Sequence, residues 1–271
     1  MMRHKMPLRC RWRSIPSLLK GIALINPCLL ASTILPSAEL KAETVSFEDT
    51  FTLPSGLKGE MNESLDRQTG QLAPVAYGSN TKNSGLGGSG YAYIEENQAL
   101  ELNPDEGGTA IVWTEAPVKT TAGFHLKVNV WPTVTQNSPT GAASIIFGSN
   151  ATSRKLSESE QENGDPQAGL GIRISGSGRL EIRDFSKSGK DQLVVPPEEL
   201  GSKNTFRRVE VHVSQSAGAN PSISISIDDR PVLENYVRSQ AFTEGYISFL
   251  ASKGAGDTQS VFDDFSLREM P

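Results

Sequence analysis

Cysteine is nearly absent: the 271 residues hold two, Cys10 and Cys28, and both fall in the first 42. Once that segment is set aside, disulfide stapling, a zinc–cysteine site and a thiol nucleophile are excluded together. Histidine is scarce too, three in all, with only His125 and His212 beyond residue 42. The apolar run Gly21–Leu35 (GIALINPCLLASTIL) has 15 residues, short of the roughly 20 that cross a bilayer. Beyond it no stretch keeps a helical period. No G-x-S-x-G, H-x-x-x-H or P-loop spelling occurs. Gly85-Leu86-Gly87-Gly88-Ser89-Gly90 spells G-x-G-x-x-G, but it sits in a polar loop with no helix after it to present an N-terminus to phosphate.

What is present begins with a basic segment. Arg3, Lys5, Arg9, Arg11, Arg13 and Lys20 precede the apolar run with no acidic residue among them. This order predicts a secretory signal peptide over residues 1–42, cut after Ala42, and a mature chain that is secreted or periplasmic with no membrane span. Of 26 Lys and Arg and 31 Asp and Glu, the first 42 residues hold seven and one, leaving 19 basic and 30 acidic residues, a net of −11. Such a chain gains no counterion release from a phosphate backbone, which excludes nucleic acid as a partner class. The remaining 229 residues are long enough to bury a core without covalent staples, and one all-β domain over 43–271 accommodates them.

Strand follows strand. Ile223, Ile225 and Ile227 alternate with serines; Val209, Val211 and Val213 with Arg208, Glu210 and His212; Phe124, Leu126, Val128 and Val130 with His125, Lys127, Asn129 and Trp131. A period of two buries one face and wets the other. Further strands are expected at 43–51, 91–95, 98–102, 109–114, 143–149, 169–175, 179–184, 192–195, 231–237, 245–251 and 260–268. The connections carry turn chemistry, as in Ser175-Gly176-Ser177-Gly178 and Asp228-Asp229-Arg230-Pro231, where glycine, aspartate and proline favour tight reversals. The fold class is therefore all-β, a two-sheet antiparallel sandwich.

The C-terminal third runs from TFRRVEVHVS through SISISIDD and PVLENYV to Glu244-Gly245-Tyr246-Ile247-Ser248-Phe249 and the closing VFDDFSL. That order resembles the concanavalin A-like lectin/glucanase superfamily in its laminin-G-like form, a jelly roll whose opening strand, here Phe47–Phe51, pairs near the closing one. One departure stands in the acidic turn, where Asp229 replaces the usual glycine. The resemblance implies a secreted binding or adhesive module for carbohydrate or a cell-surface partner. The alternative it leaves open is a polysaccharide-degrading glycoside hydrolase or lyase. It also implies a structural Ca²⁺ at Asp263 or Asp264, since calcium collects six to eight oxygens and adjacent carboxylates start such a set.

Catalytic patterns of such enzymes are missing. The nearest match to an E-x-D-x-E strand is Glu181-Ile182-Arg183-Asp184, whose carboxylates fall on opposite faces at that spacing. No catalytic residue is therefore assigned. For binding, Trp131, His125 and Asn129 are expected on the wetted face opposite the Phe124–Val130 stripe, with Arg173 in a similar position on GLGIRIS. An aromatic ring beside planar donors suits a sugar.

Overall fold

The computed structural model describes residues 43–270 apart from 54–57, 82–89, 96–97, 105–107, 120–122, 133–140, 156–168, 186–191, 196–199, 201–204, 217–218 and 253–258. The expected signal segment 1–42, with Cys10 and Cys28, lies outside the described residues, as does the acidic stretch Glu158–Asp165.

The described residues form one compact unit of two antiparallel sheets. In chain order the strands are β1 Thr44–Asp49, β2 Gln68–Thr69, β3 Tyr77–Ser79, β4 Tyr91–Ile94, β5 Leu100–Asn103, β6 Thr109–Thr114, β7 Phe124–Trp131 and β8 Ala142–Ser149. They continue with β9 Leu170–Ser175, β10 Leu180–Asp184, β11 Gln192–Val195, β12 Arg207–Ser214, β13 Ser222–Ile227, β14 Arg230–Val237, β15 Tyr246–Ser252 and β16 Ser260–Glu269. The nine-stranded sheet runs β14-β13-β12-β7-β16-β1-β2, with β5 also on β16 and β4 on β5; the seven-stranded sheet runs β11-β10-β9-β8-β15-β6-β3. The closing strand lies beside the opening one, Phe47 opposite Leu267 and Asp49 opposite Phe265.

Parity decides what each strand buries. In the nine-stranded sheet Val209, Val211, Val213, Leu126, Val128 and Ile225 point inward. They meet Ile145, Ile172, Ile174, Ile182 and Phe249 of the seven-stranded sheet. At the centre, Phe249 of β15 packs edge-on against Phe51, Phe262 and Phe265, with ring centroids 5.7, 5.3 and 5.4 Å away. Edge-to-face contacts of this kind add about 1 kcal/mol each beyond the area they bury.

Two backbone irregularities place polar groups. A bulge between Asp263 and Ser266 lets Phe262 and Phe265 both reach the core, with Asp264 at φ 47° between them. The β13–β14 hairpin turns on Asp228 and Asp229, both at positive φ (52° and 64°), as a two-residue primed turn requires. Asp228 is held there by its carboxylate, which accepts from the Arg208 backbone N–H at 3.0 Å and Arg207 Nη1 at 2.8 Å. Among the described residues Asp229 has an exposed ion pair with Arg208, a contact worth little in water. Asp229→Gly is therefore expected to raise stability by about 0.5–1 kcal/mol, read as a higher urea midpoint at unchanged slope.

Candidate functional site

The outer face of the nine-stranded sheet carries the polar residues that alternate with its core stripes. Along its upper row, neighbouring strands place Tyr93 opposite Glu101, Glu101 opposite Val261 and Val261 opposite Trp131. Trp131 meets Phe206 edge-on at 5.7 Å. At the other end Tyr91 and Tyr93 stack with centroids 5.9 Å apart and 12° between planes, and Lys58 Nζ sits 4.1 Å over the Tyr93 ring. Tyr91, 38% exposed, is one of two large apolar side chains open to solvent among the described residues. Burial, reinforced by Glu95, raises the Glu101 carboxyl above its ordinary value. The hydrogen bond from Lys58 to Glu95 raises the Lys58 ammonium in turn.

Beside Trp131 the row continues into charge. Asn129 Nδ2 donates to Asp264 Oδ2 at 3.0 Å, and the Asp264 N–H donates to Asp263 Oδ1 at 2.8 Å. Burial and the neighbouring Asp264 push the Asp263 carboxyl up to about 6. Ionised Asp263 is thus a cost to the folded state: absent below about pH 4, where folded and unfolded chains are both protonated, and full above about pH 7. Asp263→Asn, which keeps the acceptor for the Asp264 N–H, is expected to stabilise by about 1 kcal/mol at pH 8 after allowance for solvent, and by nothing near pH 4. Melts across that range check it; a gain constant with pH would contradict it.

Calcium at this place was the expectation from resemblance. Asp263 and Asp264 supply two carboxylates, and among the described residues the group of three able to close on one ion is a different one, His125, Glu210 and His212. Across the closing and opening strands, Asp49 is neutralised by Arg67, whose Nε lies 2.7 Å from Asp49 Oδ1. Two carboxylates fall short of a calcium set on their own.

The structure separates the four expected ligand residues. Trp131 and Asn129 share the outer face of β7 and are partly exposed. His125 lies on the same face but is buried, its ring stacked on His212 with centroids 3.7 Å apart. Arg173 belongs to β9 in the other sheet, where its neighbours Ile172 and Ile174 face the core. It therefore projects from the opposite side of the sandwich and shares no surface with Trp131. The reason is strand order, which the alternation within a strand does not contain.

Arg173 has its own setting. Its Nη1 lies 3.2 Å from Glu181 Oε2, which Arg183 Nη2 also meets at 2.9 Å, while Arg179 Nε reaches Glu181 Oε1 at 2.9 Å. Burial works against ionisation of Glu181, but the three guanidiniums outweigh it and hold the carboxyl below its ordinary value. Asp184, one turn of parity away, faces inward and pairs with buried Arg238 at 3.0 Å. A carboxylate pair on one strand face, as glycosidic cleavage needs, is not formed by Glu181 and Asp184.

Sequence reasoning passed over Tyr91, Tyr93, Glu101 and Phe206. The signal was there in YAYI and LELN, two alternating strands whose outward positions are Tyr, Tyr, Glu and Asn.

No protein-family model and no curated protein matches the chain. Solved structures do. An endo-acting O-glycanase structure from human gut microbiota is similar at 10% identity and TM-score 0.53, over 84% of this chain and 100% of that one. The fold is a two-sheet antiparallel sandwich of the jelly-roll type. The carbohydrate recognition domain of Emp47p aligns at 13% identity and TM-score 0.49, over 81% of this chain and 97% of that one. A legume lectin-like domain from Entamoeba histolytica aligns at 14% and 0.48, over 72% and 90%. At such identities the likeness is one of fold.

Proposed function

We propose that this jelly roll is a secreted, non-catalytic module that binds carbohydrate along the upper row of its nine-stranded sheet. The observation that carries the reading is the pairing of two aromatic platforms, Tyr91–Tyr93 and Trp131–Phe206, on one outer face with Glu101 between them. Sugars lay their C–H faces on aromatic rings and spend their hydroxyls on planar acceptors and donors. Asn103 on β5 and Asn129 on β7 add such groups. Tyr93 and Trp131 stand three strand steps apart, about 14 Å, a span for an oligosaccharide and not a single ring. With Glu101 half-buried in the row and a net charge of −11 beyond residue 42, the ligand of choice is a neutral glycan; a polyanion would meet like charge.

A glycan array with the full chain tests this, followed by titration of the best hit. Trp131→Ala and Tyr93→Ala are each expected to weaken binding at least tenfold, about 1.4 kcal/mol. Arg173→Ala, on the opposite sheet, should leave it unchanged. Binding that follows Arg173 and ignores Trp131 would move the site to the other sheet. Capture of a surface protein in place of any glycan would replace the ligand, and shortened oligosaccharides after incubation would replace the binding module by an enzyme.

Two further parts belong to the proposal. Calcium would relieve the repulsion between Asp263 and Asp264, and millimolar CaCl₂ should then raise the melting temperature of the wild type but not of Asp264→Asn. Export would remove residues 1–42, so exported protein that keeps Cys28 by mass spectrometry would refute the secretory assignment.

A further inference from the structure

The cross-strand register of β7 and β12 sets His125 directly opposite His212 and Lys127 opposite Glu210, all on the outer face. The two imidazoles stack at 3.7 Å between centroids, 24° from parallel. His125 is 7% exposed, and its Nε2 is buried without a hydrogen-bond partner among the described residues. The nearest opposite charge is Glu210 Oε2, 3.8 Å away, too far for a hydrogen bond. A buried ring nitrogen left this way loses its water and gains nothing in return.

We infer that His125, His212 and Glu210 form a binding site for a single zinc ion. One ligand atom from each lies within 4.8 Å of the others. Tetrahedral zinc with bonds near 2.0–2.1 Å separates its ligands by about 3.4 Å, so the cluster must tighten by up to about 1.4 Å and the His212 ring must swing out of its stack on His125, because an imidazole lone pair lies in its ring plane. The mobile partners can supply that: His212 is exposed, and Glu210 is held by side-chain ion pairs, to Lys127 at 3.4 Å and Arg208 at 3.6 Å. His125 is the fixed member, seated between Leu126 and Phe124 on a strand whose other face is core. Two imidazoles and one carboxylate are a nitrogen–oxygen set that suits zinc over calcium or magnesium. The fourth position faces solvent and takes water. The site is independent of the glycan row: Trp131 lies at the far end of β7 from His125.

Isothermal titration of the full chain, stripped of metal, with ZnCl₂ tests the assignment. One zinc per chain with a dissociation constant in the micromolar range or tighter is expected. His212→Ala, whose fold is checked by circular dichroism, should weaken it about 100-fold, and Glu210→Gln about tenfold. His4→Ala removes the only other histidine and should change nothing. Cobalt in place of zinc should give the intense visible absorption of four-coordinate geometry in the wild type and lose it in His212→Ala. No heat of binding, full affinity in His212→Ala, or a zinc-dependent dimer in sedimentation would each overturn the site. Glycan titration with His212→Ala stays at wild-type affinity, which separates failure here from failure of the binding module.

Discussion

Asp49→Ala is expected to lower the unfolding free energy by about 4 kcal/mol, a large part of what a domain has. Asp49 is fully buried. Its Oδ1 accepts from the Phe51 N–H at 2.8 Å and from Arg67 Nε at 2.7 Å; its Oδ2 accepts from Arg67 Nη2 at 3.2 Å, Gln68 Nε2 at 2.9 Å and Tyr77 Oη at 2.8 Å. Removing the carboxylate strands a guanidinium whose side chain is 2% exposed, along with a buried phenol and amide. The carbonyls of Met61 and Ser64 still accept from Arg67, but neutral acceptors do not balance a buried charge. Breaking one partner of such a pair costs far more than removing both. The double variant Asp49→Ala/Arg67→Ala should therefore lose much less than the sum of the single losses. Urea denaturation of the three variants checks this. A single Asp49→Ala within about 1 kcal/mol of wild type would mean that water or a side-chain shift satisfies Arg67.

The sandwich was legible because period-two alternation is a local property. Ile223, Ile225 and Ile227 announce a face without knowledge of any other strand, and the turn after them is marked by Asp228 and Asp229. The same parity places Phe47, Asp49 and Phe51 on one face, so a buried aspartate could be read from FEDTF. Its partners could not: Arg67, Gln68 and Tyr77 come from short elements with no period. The seven-stranded sheet held a second surprise. Ile111, Trp113, Ile146, Phe185 and Leu250 form an apolar cluster on its outer side, foreshadowed by the unbroken runs AIVW and SIIF, which signal burial on both faces.

The site was half legible for the same reason. Alternation puts Trp131, Asn129 and His125 on the outer face of β7, where His125 is buried against His212 and not wetted as expected, and it says nothing about which strand lies alongside. The order β12-β7-β16-β5 brings Phe206, Val261 and Glu101 to Trp131 and His212 to His125, while β9 carries Arg173 away to the other sheet. Strand order is set by which edges can pair and cover one another in three dimensions, and adjacent positions along one strand do not encode it.

Adjacent positions do encode opposite responses to charge. Val211 is fully buried between Leu126 of β7 and Ile225 of β13, its register partners, while His212 beside it is exposed. Val211→Asp places a carboxylate among aliphatic side chains with no donor in reach, which costs several kcal/mol and is expected to prevent folding. His212→Asp leaves the charge in water and should shift stability by only about 0.5 kcal/mol. The pair Val130 and Trp131 repeats the contrast where it bears on function. Val130 is 1% exposed and lies in the core, so Val130→Asp should unfold the chain. Trp131 is only half-buried and rests edge-on against Phe206; truncating it gives up that contact and part of its covered area, about 1 kcal/mol, in a protein that stays folded. Thermal melts of the four variants decide it. If Trp131→Ala falls as far as Val130→Asp, the ring is a structural plug over Val261, and its exposed face cannot be kept as the anchor of a sugar platform.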